Sequence, residues 1–465
     1  MPADVADGLL LGVDVGTTET KAVATSLDGR LLAIGSGPTP WDARDPGGAD
    51  IAPEALLDSV LAACADAVER AVGHLPDEPS VQGLGVTGMA EAGVLLDRNG
   101  RRADVPIIAW FDPRGGEEFE ALDPSFLATF PARAGLPVSA VATFAKLLWM
   151  RRELGFDLTG HRWLNVPEFV IHAFGGEPVT EPSLASRTGL FDQDEMTPFW
   201  DALAVLDASE DLLLPLVPAG TKLGTASDAV PRWLQGAALT VAGHDHPVAS
   251  LAAGATGPDD LFDSCGTAEA LLRATTRRIT PEERTELSRH NVCQGAHVLP
   301  GRRMLLGGTR GGLLLRRVLA MLGATEPAAR EALDAACPTG EVSLPVHIDG
   351  GRLDEQAVWL RIDNDDASPP LVWRAALEVV AQQARAMVDV FEGVAGPAER
   401  MVAAGGWTRA SSYRAIKERT FPGIEFADLE QAGGLGAAAV ASFAASGSGT
   451  IDDLPAAIER FIADR

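Results

Sequence analysis

The chain has 465 residues, enough for two or three domains, and its composition of 46% hydrophobic and 22% charged residues excludes a mainly disordered protein. Its 65 acidic residues outnumber 38 basic ones, and the net charge of −27 disfavours nucleic acid and anionic membrane surfaces as partners. The four cysteines lack CxxC spacing and no apolar run is long enough to span a membrane, so we expect free thiols in a soluble, cytoplasmic protein.

Apolar runs alternate with turn signals at the start of the chain. Residues 9–13 and 22–26 predict two strands around the turn Gly16-Thr17-Thr18, and Asp28-Gly29 predicts a hairpin turn before a strand at 31–34. Pro53 opens a predicted helix, and strands are expected again at 81–86, 93–96 and 105–110. Hairpins mixed with amphipathic helices indicate an α/β architecture with a mixed sheet.

A short segment recurs at an offset of 250 residues. Residues 14–25 read DVGTTETKAVAT and residues 264–275 read SCGTAEALLRAT, with five of the twelve positions identical. The match could arise by chance from a biased composition. The alternative is a duplicated domain, in which each half carries a Gly-Thr turn between two strands. The predicted domains are then 1–253 and 254–465, joined by a Gly-, Ala- and Pro-rich hinge at 253–258.

Gly-Thr turns in two facing domains are suited to holding a polyphosphate, because glycine lets the backbone approach phosphate and successive N–H groups bind anions. The candidate residues are Gly16, Thr17, Thr18 and Lys21 in the first half and Gly266 and Thr267 in the second. Asp14, at the end of the first strand, could bind Mg²⁺ directly or through water, or could simply cap the turn. Ser264 stands at the matching place in the second copy.

Four segments resemble motifs of the FGGY carbohydrate kinases, of the actin-like ATPase superfamily, in the right order. LLGVDVGTTETKAVATSLDGRLLA resembles the first phosphate motif, DSCGTAEALL the second, MVAAGGWTRASSYRAIKERTFPGIEF the adenosine motif, and EQAGGLGAAAVAS the helix after it. The matches extend from residue 9 to about residue 444. The resemblance implies two actin-like (ribonuclease H-like) α/β domains with mixed sheets flanking an interdomain ATP cleft.

The family's catalytic base is matched by Asp245 in LTVAGHDHPVASLAAGA, where the apolar strand 239–242 would hold it rigidly. A carboxylate at this place would accept the proton of the attacking hydroxyl and would also contact the acceptor. Two other readings remain. His244 and His246 could form a metal cluster with Asp245, or Asp245 could be a loop residue paired with a neighbouring His.

The resemblance places the acceptor in the first half. Glu91, in VTGMAEAGVLLDRNG, matches a hydroxyl-binding position, and Trp110 and Asp112 match a Trp-x-Asp-x-Arg pattern. An aromatic platform with carboxylates suits carbohydrate binding. Alternatively, Glu91 is a solvated loop residue, Trp110 belongs to the core, and Asp112 pairs with Arg114.

Glycines of the second half match the adenosine pocket. They are Gly311, which follows LLGGTR, and the pair Gly405 and Gly406, which would let adenine lie against bare backbone. The chain departs from the usual GGG-A-x-S/N pattern at Trp407 and Ala410, which puts the detailed adenine contacts in doubt. Ala268 also stands where the second phosphate motif often has Ser.

The resemblance implies a kinase that uses ATP and Mg²⁺ to phosphorylate a hydroxyl of a ketose, a deoxy-ketose or a polyol. A different class remains as the alternative, an ATP-gated binding or regulatory protein of the same fold without turnover. The expected partner is a small-molecule sugar or polyol. A homodimer is left open, and the residues do not identify the sugar.

Overall fold

The computed structural model describes residues 8–45, 47–74, 80–351 and 357–463. Residues 1–7 of the first predicted domain and 464–465 of the second therefore lie outside the described residues. The strands of the first half are β1 (Leu9–Val15), β2 (Glu19–Ser26), β3 (Leu31–Pro38), β4 (Asp42–Arg44), β5 (Gly48–Ile51), β6 (Val81–Gly88), β7 (Gly93–Leu96), β8 (Ile107–Ile108), β9 (Arg162–Asn165), β10 (Phe191–Asp192), β11 (Thr197–Pro198) and β12 (Ala238–His244). Its helices are α1 (Pro53–Ala71), α2 (Gly116–Glu120), α3 (Pro124–Ala134), α4 (Thr143–Glu153), α5 (Val166–Ala173), α6 (Pro182–Ala185), α7 (Trp200–Val205) and α8 (Asp245–Ala252).

The first half is built on a five-stranded sheet with the order β12-β6-β1-β2-β3. Alternate side chains of β1 face opposite sides, because successive Cβ atoms point to opposite faces of a sheet. Leu9, Leu11 and Val13 join the core formed with α1 and α5, whereas Leu10 packs on the other face. The strand predicted at 105–110 shrinks to β8, because Pro106 offers no N–H and Asp112 closes a turn on Ala109.

The second half contains a six-stranded sheet with the order β15-β16-β14-β13-β19-β20. Its strands are β13 (Asp260–Cys265), β14 (Glu269–Thr275), β15 (Cys293–Ala296), β16 (Arg303–Thr309), β17 (Val346–Gly350), β18 (Val358–Ile362), β19 (Arg400–Ala404) and β20 (Glu425–Phe426). Its helices are α9 (Pro281–Arg289), α10 (Gly311–Met321), α11 (Pro327–Ala336), α12 (Pro369–Ala395), α13 (Ser411–Thr420), α14 (Ala432–Ser446) and α15 (Leu454–Ala463).

The two sheets share one strand arrangement around their Gly-Thr turns, as a duplicated domain would. β1 ends at Val15 and β2 begins at Glu19, while β13 ends at Cys265 and β14 begins at Glu269, again 250 residues later. In the first sheet, the second hairpin strand β2 pairs with an antiparallel strand, β3, and the first hairpin strand β1 pairs with a parallel strand, β6. In the second sheet, β14 pairs in the same way with antiparallel β16, and β13 pairs with parallel β19. Each half therefore presents its Gly-Thr turn at the carboxyl edge of its parallel strands.

The C-terminal helix α14 does not pack with the sheet that precedes it. It lies across β1, β6 and β12 of the first half, while α8 packs between α14 and the second sheet. Helix α8 thus contacts both halves, whereas α14 packs on the sheet of the first half. Residues 432–463 join the first half structurally, although the predicted boundary assigned them to 254–465, because the apolar face of the first sheet is what α14 covers.

A helical subdomain in the first half touches the second half directly. Its core includes Phe119, Phe130 and Phe144 from α2, α3 and α4. The buried side chain of Arg284 on α9 donates to the carbonyl oxygen of Ala132 over 2.6 Å and pairs with Asp194 over 2.9 Å. The halves are therefore in contact beyond the α8–α14 pair.

Two predictions about the chain as a whole can be compared with the structure. The four cysteines are free, with Cys293 half-buried and the other three buried, as expected. Within the described ranges, no helix combines the length and the apolar character that crossing a bilayer requires.

Candidate active site

The carboxyl ends of three neighbouring parallel strands, β1, β6 and β12, meet at one edge of the first sheet. Asp14 is the penultimate residue of β1, Glu91 lies just beyond β6, and Asp245 directly follows β12. Because parallel strands end at a shared edge, these carboxylates converge. Asp245 interacts electrostatically with both of the others.

The first Gly-Thr turn is anchored through its oxygen atoms. The Thr39 hydroxyl donates to the Gly16 carbonyl over 2.7 Å, and the Trp41 indole N–H donates to the Thr17 carbonyl over 2.6 Å. The indole N–H of Trp110 donates to Thr17 Oγ1 over 2.8 Å. These three contacts hold the turn through two carbonyl oxygens and one hydroxyl oxygen.

Asp14 has the properties of a cation ligand. Its Oδ1 is enclosed without a hydrogen-bond partner among the described atoms, which is costly for a carboxylate. A Cβ at position 433 would overlap its Oδ2, so Gly433 leaves the room that this carboxylate occupies. Burial and then the neighbouring Asp245 raise the pKa of Asp14 to about 7, against the opposing effect of Lys21. An orphaned buried oxygen beside a second carboxylate fits a divalent cation.

Asp245 opens α8, where the helix N-terminus favours an acidic side chain. Its Oδ1 accepts from the His246 backbone N–H over 2.7 Å and lies 3.1 Å from His244 Nε2 and 3.8 Å from His246 Nε2. Burial alone would raise the pKa of Asp245, but His246 and then His244 outweigh it and lower this pKa. Its side chain is 29% exposed, so the carboxylate remains accessible from the cleft.

His244 does not form an ordinary salt bridge with Asp245. Burial lowers the pKa of His244 to about 3, so its imidazole is neutral and interacts as a hydrogen-bonding group. One ligand atom from each of His244, Asp245 and His246 lies within 4.8 Å of the others, a spacing that a metal ion could also use. Both the base reading and the metal reading are therefore compatible with this geometry.

Glu91 is buried and paired, so it is not the solvated loop residue of the alternative reading. Arg187 Nε and Nη2 each lie 2.6 Å from Glu91 Oε1. The backbone of Glu91 has φ 65°, in the left-handed region that side chains other than glycine seldom adopt. Burial raises the pKa of Glu91, and Arg187 opposes this shift.

Trp110 and Asp112 do not share one environment. Trp110 is half-buried against the core and holds the first turn through Thr17. Asp112 is completely buried, and its oxygens accept from the Ala49 N–H over 2.8 Å and from Arg114 Nε over 2.9 Å. The prediction that Asp112 contacts the acceptor is therefore corrected. Its buried carboxylate instead pairs with Arg114, as the alternative interpretation described.

The second Gly-Thr turn lies against the start of α10. A Cβ at Gly312 would overlap the Gly266 carbonyl, and the indole N–H of Trp407 donates to the same carbonyl over 3.0 Å. Trp407, one of the departures from the expected pattern, therefore contacts the second Gly-Thr turn directly. The turn is held between α10 and this indole.

The predicted adenosine glycines lie beside the second turn, because β13 and β19 are parallel neighbours with Ser264 opposite Ala404. Gly405 follows β19 with φ 130°, and a Cβ there would lie 2.5 Å from the Cys265 carbonyl oxygen. A Cβ at Gly406 would meet no atom within 4 Å, so this backbone faces open space. Gly311 begins α10. The three glycines therefore lie at the same edge of the second sheet, beside the second Gly-Thr turn.

A buried ionic cluster under the second turn has no counterpart in the predicted site. Lys417 Nζ pairs with Asp263 Oδ2 over 2.7 Å and also with Glu269, which accepts a 3.0 Å hydrogen bond from the Thr309 hydroxyl. Asp263, Glu269 and Lys417 are all at most 2% exposed. Asp263 and Glu269 flank the turn, so Lys417 joins its two strands from α13.

Sequence reasoning missed Arg187 and Lys417. Arg187 lies in SLASRTGLFD and Lys417 in SSYRAIKERT, where no spacing or composition distinguishes a buried ion-paired side chain from a solvated one. Their partners are 96 residues away for Arg187 and Glu91, and 154 residues away for Lys417 and Asp263. Only the fold reveals such pairs.

Curated kinases of sugars and polyols are similar to this chain. The chain is 27% identical over 277 residues to L-fuculokinase from Escherichia coli, with 57% of this chain and 56% of that protein aligned. It is 30% identical over 351 residues to glycerol kinase from Thermus brockianus, with 70% of this chain and 67% of that protein aligned. The alignment with L-fuculokinase thus spans little more than half of its length.

Solved structures share the whole fold. A xylulose kinase from Rhodospirillum rubrum superposes with a TM-score of 0.79 and 25% identity, over 96% of this chain and 92% of that one. The architecture is accordingly the two-domain actin-like fold expected from the motifs. Residues 9–252 match the model of the FGGY family of carbohydrate kinases, N-terminal domain. This match and the glycerol kinase alignment establish that the chain belongs to the FGGY family of carbohydrate kinases.

Proposed function

We propose that the protein is an ATP-dependent kinase that phosphorylates a hydroxyl of a sugar or polyol, with Asp245 as the general base. The observation that carries this proposal is the pairing of Asp14 and Asp245 at neighbouring strand ends beside the first Gly-Thr turn. Asp14 is suited to binding a cation, and Asp245 is suited to accepting a proton. A protein that only binds ATP has no need of the second.

Asp14 would hold Mg²⁺, which when bound neutralises phosphate charge. The turns at 16–18 and 266–267 would bind phosphates through backbone N–H groups, with Lys21 adding a positive charge. Gly311, Gly405 and Gly406 would take the adenosine. Their position at the edge of the second sheet, beside the second turn, supports this assignment.

The acceptor would bind at the edge of the first sheet, near Glu91, Asp245 and Trp110. Asp245 is oriented through Oδ1, so its other oxygen would take the hydroxyl proton as the acceptor oxygen bonds to the γ-phosphorus. The bond from that phosphorus to the bridging oxygen breaks and ADP leaves. The neighbouring histidines keep Asp245 ionised for this role.

A coupled ADP-release assay over a panel of sugars and polyols tests the proposal. The panel should include pentuloses, hexuloses, deoxy-hexuloses and polyols, because the L-fuculokinase, xylulose kinase and glycerol kinase relatives act on different acceptors by name. Acceptor-dependent ADP release that requires a divalent cation would support the kinase. Saturable ATP binding without turnover on any acceptor would favour the ATP-gated binding protein instead.

A further inference from the structure

We propose that the acceptor site selects an uncharged sugar or polyol and excludes sugar acids, because Glu91 already neutralises the guanidinium of Arg187. This inference rests on the proposed kinase function and adds the charge class of its acceptor. Arg187 is a positioning residue in this account, and Glu91 determines whether its charge is available.

The pair is closed and shielded from solvent. Arg187 is 8% exposed and Glu91 is 5% exposed. Both Nε and Nη2 of Arg187 lie 2.6 Å from the same carboxylate oxygen, whereas Nη1 is buried without a hydrogen-bond partner among the described atoms. A buried pair of this kind is strong, and breaking it leaves an uncompensated charge. An incoming carboxylate therefore cannot easily replace Glu91 as the partner of Arg187.

The surrounding charges are mainly negative. Asp245 interacts electrostatically with Arg187, with Asp14 and with Glu91. Lys21 faces Asp14 across the strand pair and lies 3.6 Å from Glu19. The carboxylate of a sugar acid would thus approach Asp245, and Arg187 is already paired with Glu91. Like charges brought together in a poorly hydrated cleft repel strongly.

A neutral acceptor meets no such barrier. Hydroxyl groups donate hydrogen bonds to carboxylates, and Glu91 and Asp245 together offer several acceptor oxygens. Arg187 would hold Glu91 in the orientation that receives these hydroxyls. The backbone of Glu91 is left-handed, and its carbonyl accepts a 3.2 Å hydrogen bond from the Thr143 hydroxyl.

The charge balance can be inverted by one isosteric change. Glu91→Gln keeps the size of the side chain but removes the negative charge, so Arg187 becomes an uncompensated cation beside the acceptor. The variant should then accept a sugar acid more readily than the wild type does. This gain is specific to the proposal, since a purely structural role for the pair predicts only losses.

The experiment compares matched acceptors that differ in one carboxylate: xylitol with xylonate, and sorbitol with gluconate. ADP release with ATP and Mg²⁺ gives kcat/KM, and calorimetry gives affinity without turnover. The screened neutral sugar that is turned over best is the positive reference. In the wild type we expect sugar acids to be disfavoured by ~100-fold or more in kcat/KM. In Glu91→Gln that ratio should shift by ~10-fold or more towards the acids.

Glu378→Gln is the matched control. It alters another pair with a buried guanidinium, in which Arg374 Nε and Nη2 lie 2.9 and 2.7 Å from Glu378 in the second half. This variant should leave the ratio of neutral to acidic acceptors unchanged.

Three outcomes would overturn the inference. A wild type that uses or binds an aldonate as well as the matched polyol refutes neutral selection while leaving the kinase function intact. A folded Glu91→Gln protein with an unshifted ratio refutes the role of the pair. No turnover of any acceptor refutes the kinase proposal and the inference with it. The wild-type comparison needs no variant, so it decides the charge class even if Glu91→Gln does not fold.

Discussion

At the scale of single residues, Asp14 and Asp245 share one problem, since two carboxylates close together in a poorly hydrated cleft cannot both ionise freely. The structure divides the protonation unequally. The pKa of Asp14 rises to about 7, while His246 and His244 lower the pKa of Asp245. Without a cation, Asp14 therefore holds a proton below about pH 7, whereas the lowered pKa of Asp245 favours its charged form.

Asp14 makes the stability of the cation-free protein depend on pH. Its folded-state pKa of about 7 lies above the ordinary 3.8, so the folded protein binds a proton that the unfolded chain has released. The stabilisation from this proton is complete below about pH 4 and is lost as the pH rises through 7, by up to ~4 kcal/mol. Asp14→Asn should therefore gain stability over the wild type progressively from about pH 4 to about pH 8, measured by urea unfolding in EDTA.

Magnesium supplies the control for that measurement. Above about pH 7, Mg²⁺ should raise the free energy of unfolding of the wild type but not of Asp14→Asn, because the cation neutralises the buried carboxylate. Two results would contradict the role of Asp14 described here. The first is a free energy of unfolding that depends on pH in the same way in the wild type and in Asp14→Asn, and the second is undiminished turnover in EDTA.

Removing the charge of Asp245 should damage turnover far more than nucleotide binding. Asp245→Asn keeps shape and hydrogen bonding but cannot accept the proton, so we expect kcat to fall by ~10²–10⁴-fold with little change in ATP affinity. A rise in the acceptor KM alone would indicate that Asp245 only anchors the sugar.

Steady-state kinetics and ATP calorimetry measure these quantities. Asp453→Asn, which changes a carboxylate at the end of the 3₁₀ turn Ile451–Asp453, should retain wild-type kcat. Near-normal kcat in a folded Asp245→Asn protein would remove Asp245 from the catalytic role.

At the scale of elements, the placement of α14 shapes the cation site. A Cβ at Gly12 of β1 would overlap the Gly434 carbonyl, and a Cβ at Gly85 of β6 would overlap the Ala437 carbonyl. Small residues on both sides therefore let helix backbone lie directly on strand backbone. This approach brings Gly433, in the first turn of α14, against Asp14.

Enlarging that contact should destabilise the fold and disturb the cation site together. Gly12→Ala forces α14 away from β1, and overpacking a close contact costs ~1–3 kcal/mol. Thermal unfolding should show this loss, with a weaker Mg²⁺-dependent stabilisation because Gly433 moves with α14.

Gly393→Ala is the opposite case. Gly393 lies inside α12, where a Cβ would meet nothing within 4 Å. Alanine there should stabilise the protein by ~0.5–1 kcal/mol through helix propensity. Equal effects of the two substitutions would show that α14 is not closely packed on β1.

At the scale of the whole molecule, the chain crosses between the halves twice, through α8 and through the segment before α14. The first connection is not a loose linker. Arg400 Nη1 donates to the Gly254 carbonyl over 2.6 Å, and Arg302 donates to the Thr256 carbonyl. Residues 253–258 are thus attached to the second half, so closure would turn the halves about the α8–α14 pair.

Nucleotide and acceptor together should bring the halves closer, because each half carries one Gly-Thr turn and the proposed function requires both turns to reach the same ATP. Small-angle scattering with a non-hydrolysable ATP analogue, Mg²⁺ and the acceptor found by the screen should show a smaller radius of gyration. Asp14→Asn under the same conditions is the control. An unchanged radius in the wild type, with saturation confirmed by calorimetry, would refute the closure.

Much of the fold could be predicted because it depends on local patterns. The Gly-Thr turns at 16–18 and 266–268 follow from short apolar runs interrupted by turn residues, and their common offset indicated the duplication. Asp14 could be named as a candidate cation ligand for the same reason, because its position at a strand end is set by adjacent residues. The motif order was sufficient to place the chain in the FGGY family.

The tertiary structure alone decided which distant residues became partners. Nothing local indicated that α14 would return to the first sheet, that Arg187 would neutralise Glu91, or that Lys417 would support the second turn. The same is true of Asp112, which lies in a suitable motif but whose carboxylate oxygens accept hydrogen bonds from Arg114 and from the Ala49 N–H. Turn and strand preferences act between neighbours along the chain, whereas burial and charge pairing depend on the three-dimensional fold, and the acceptor site depends on burial and charge.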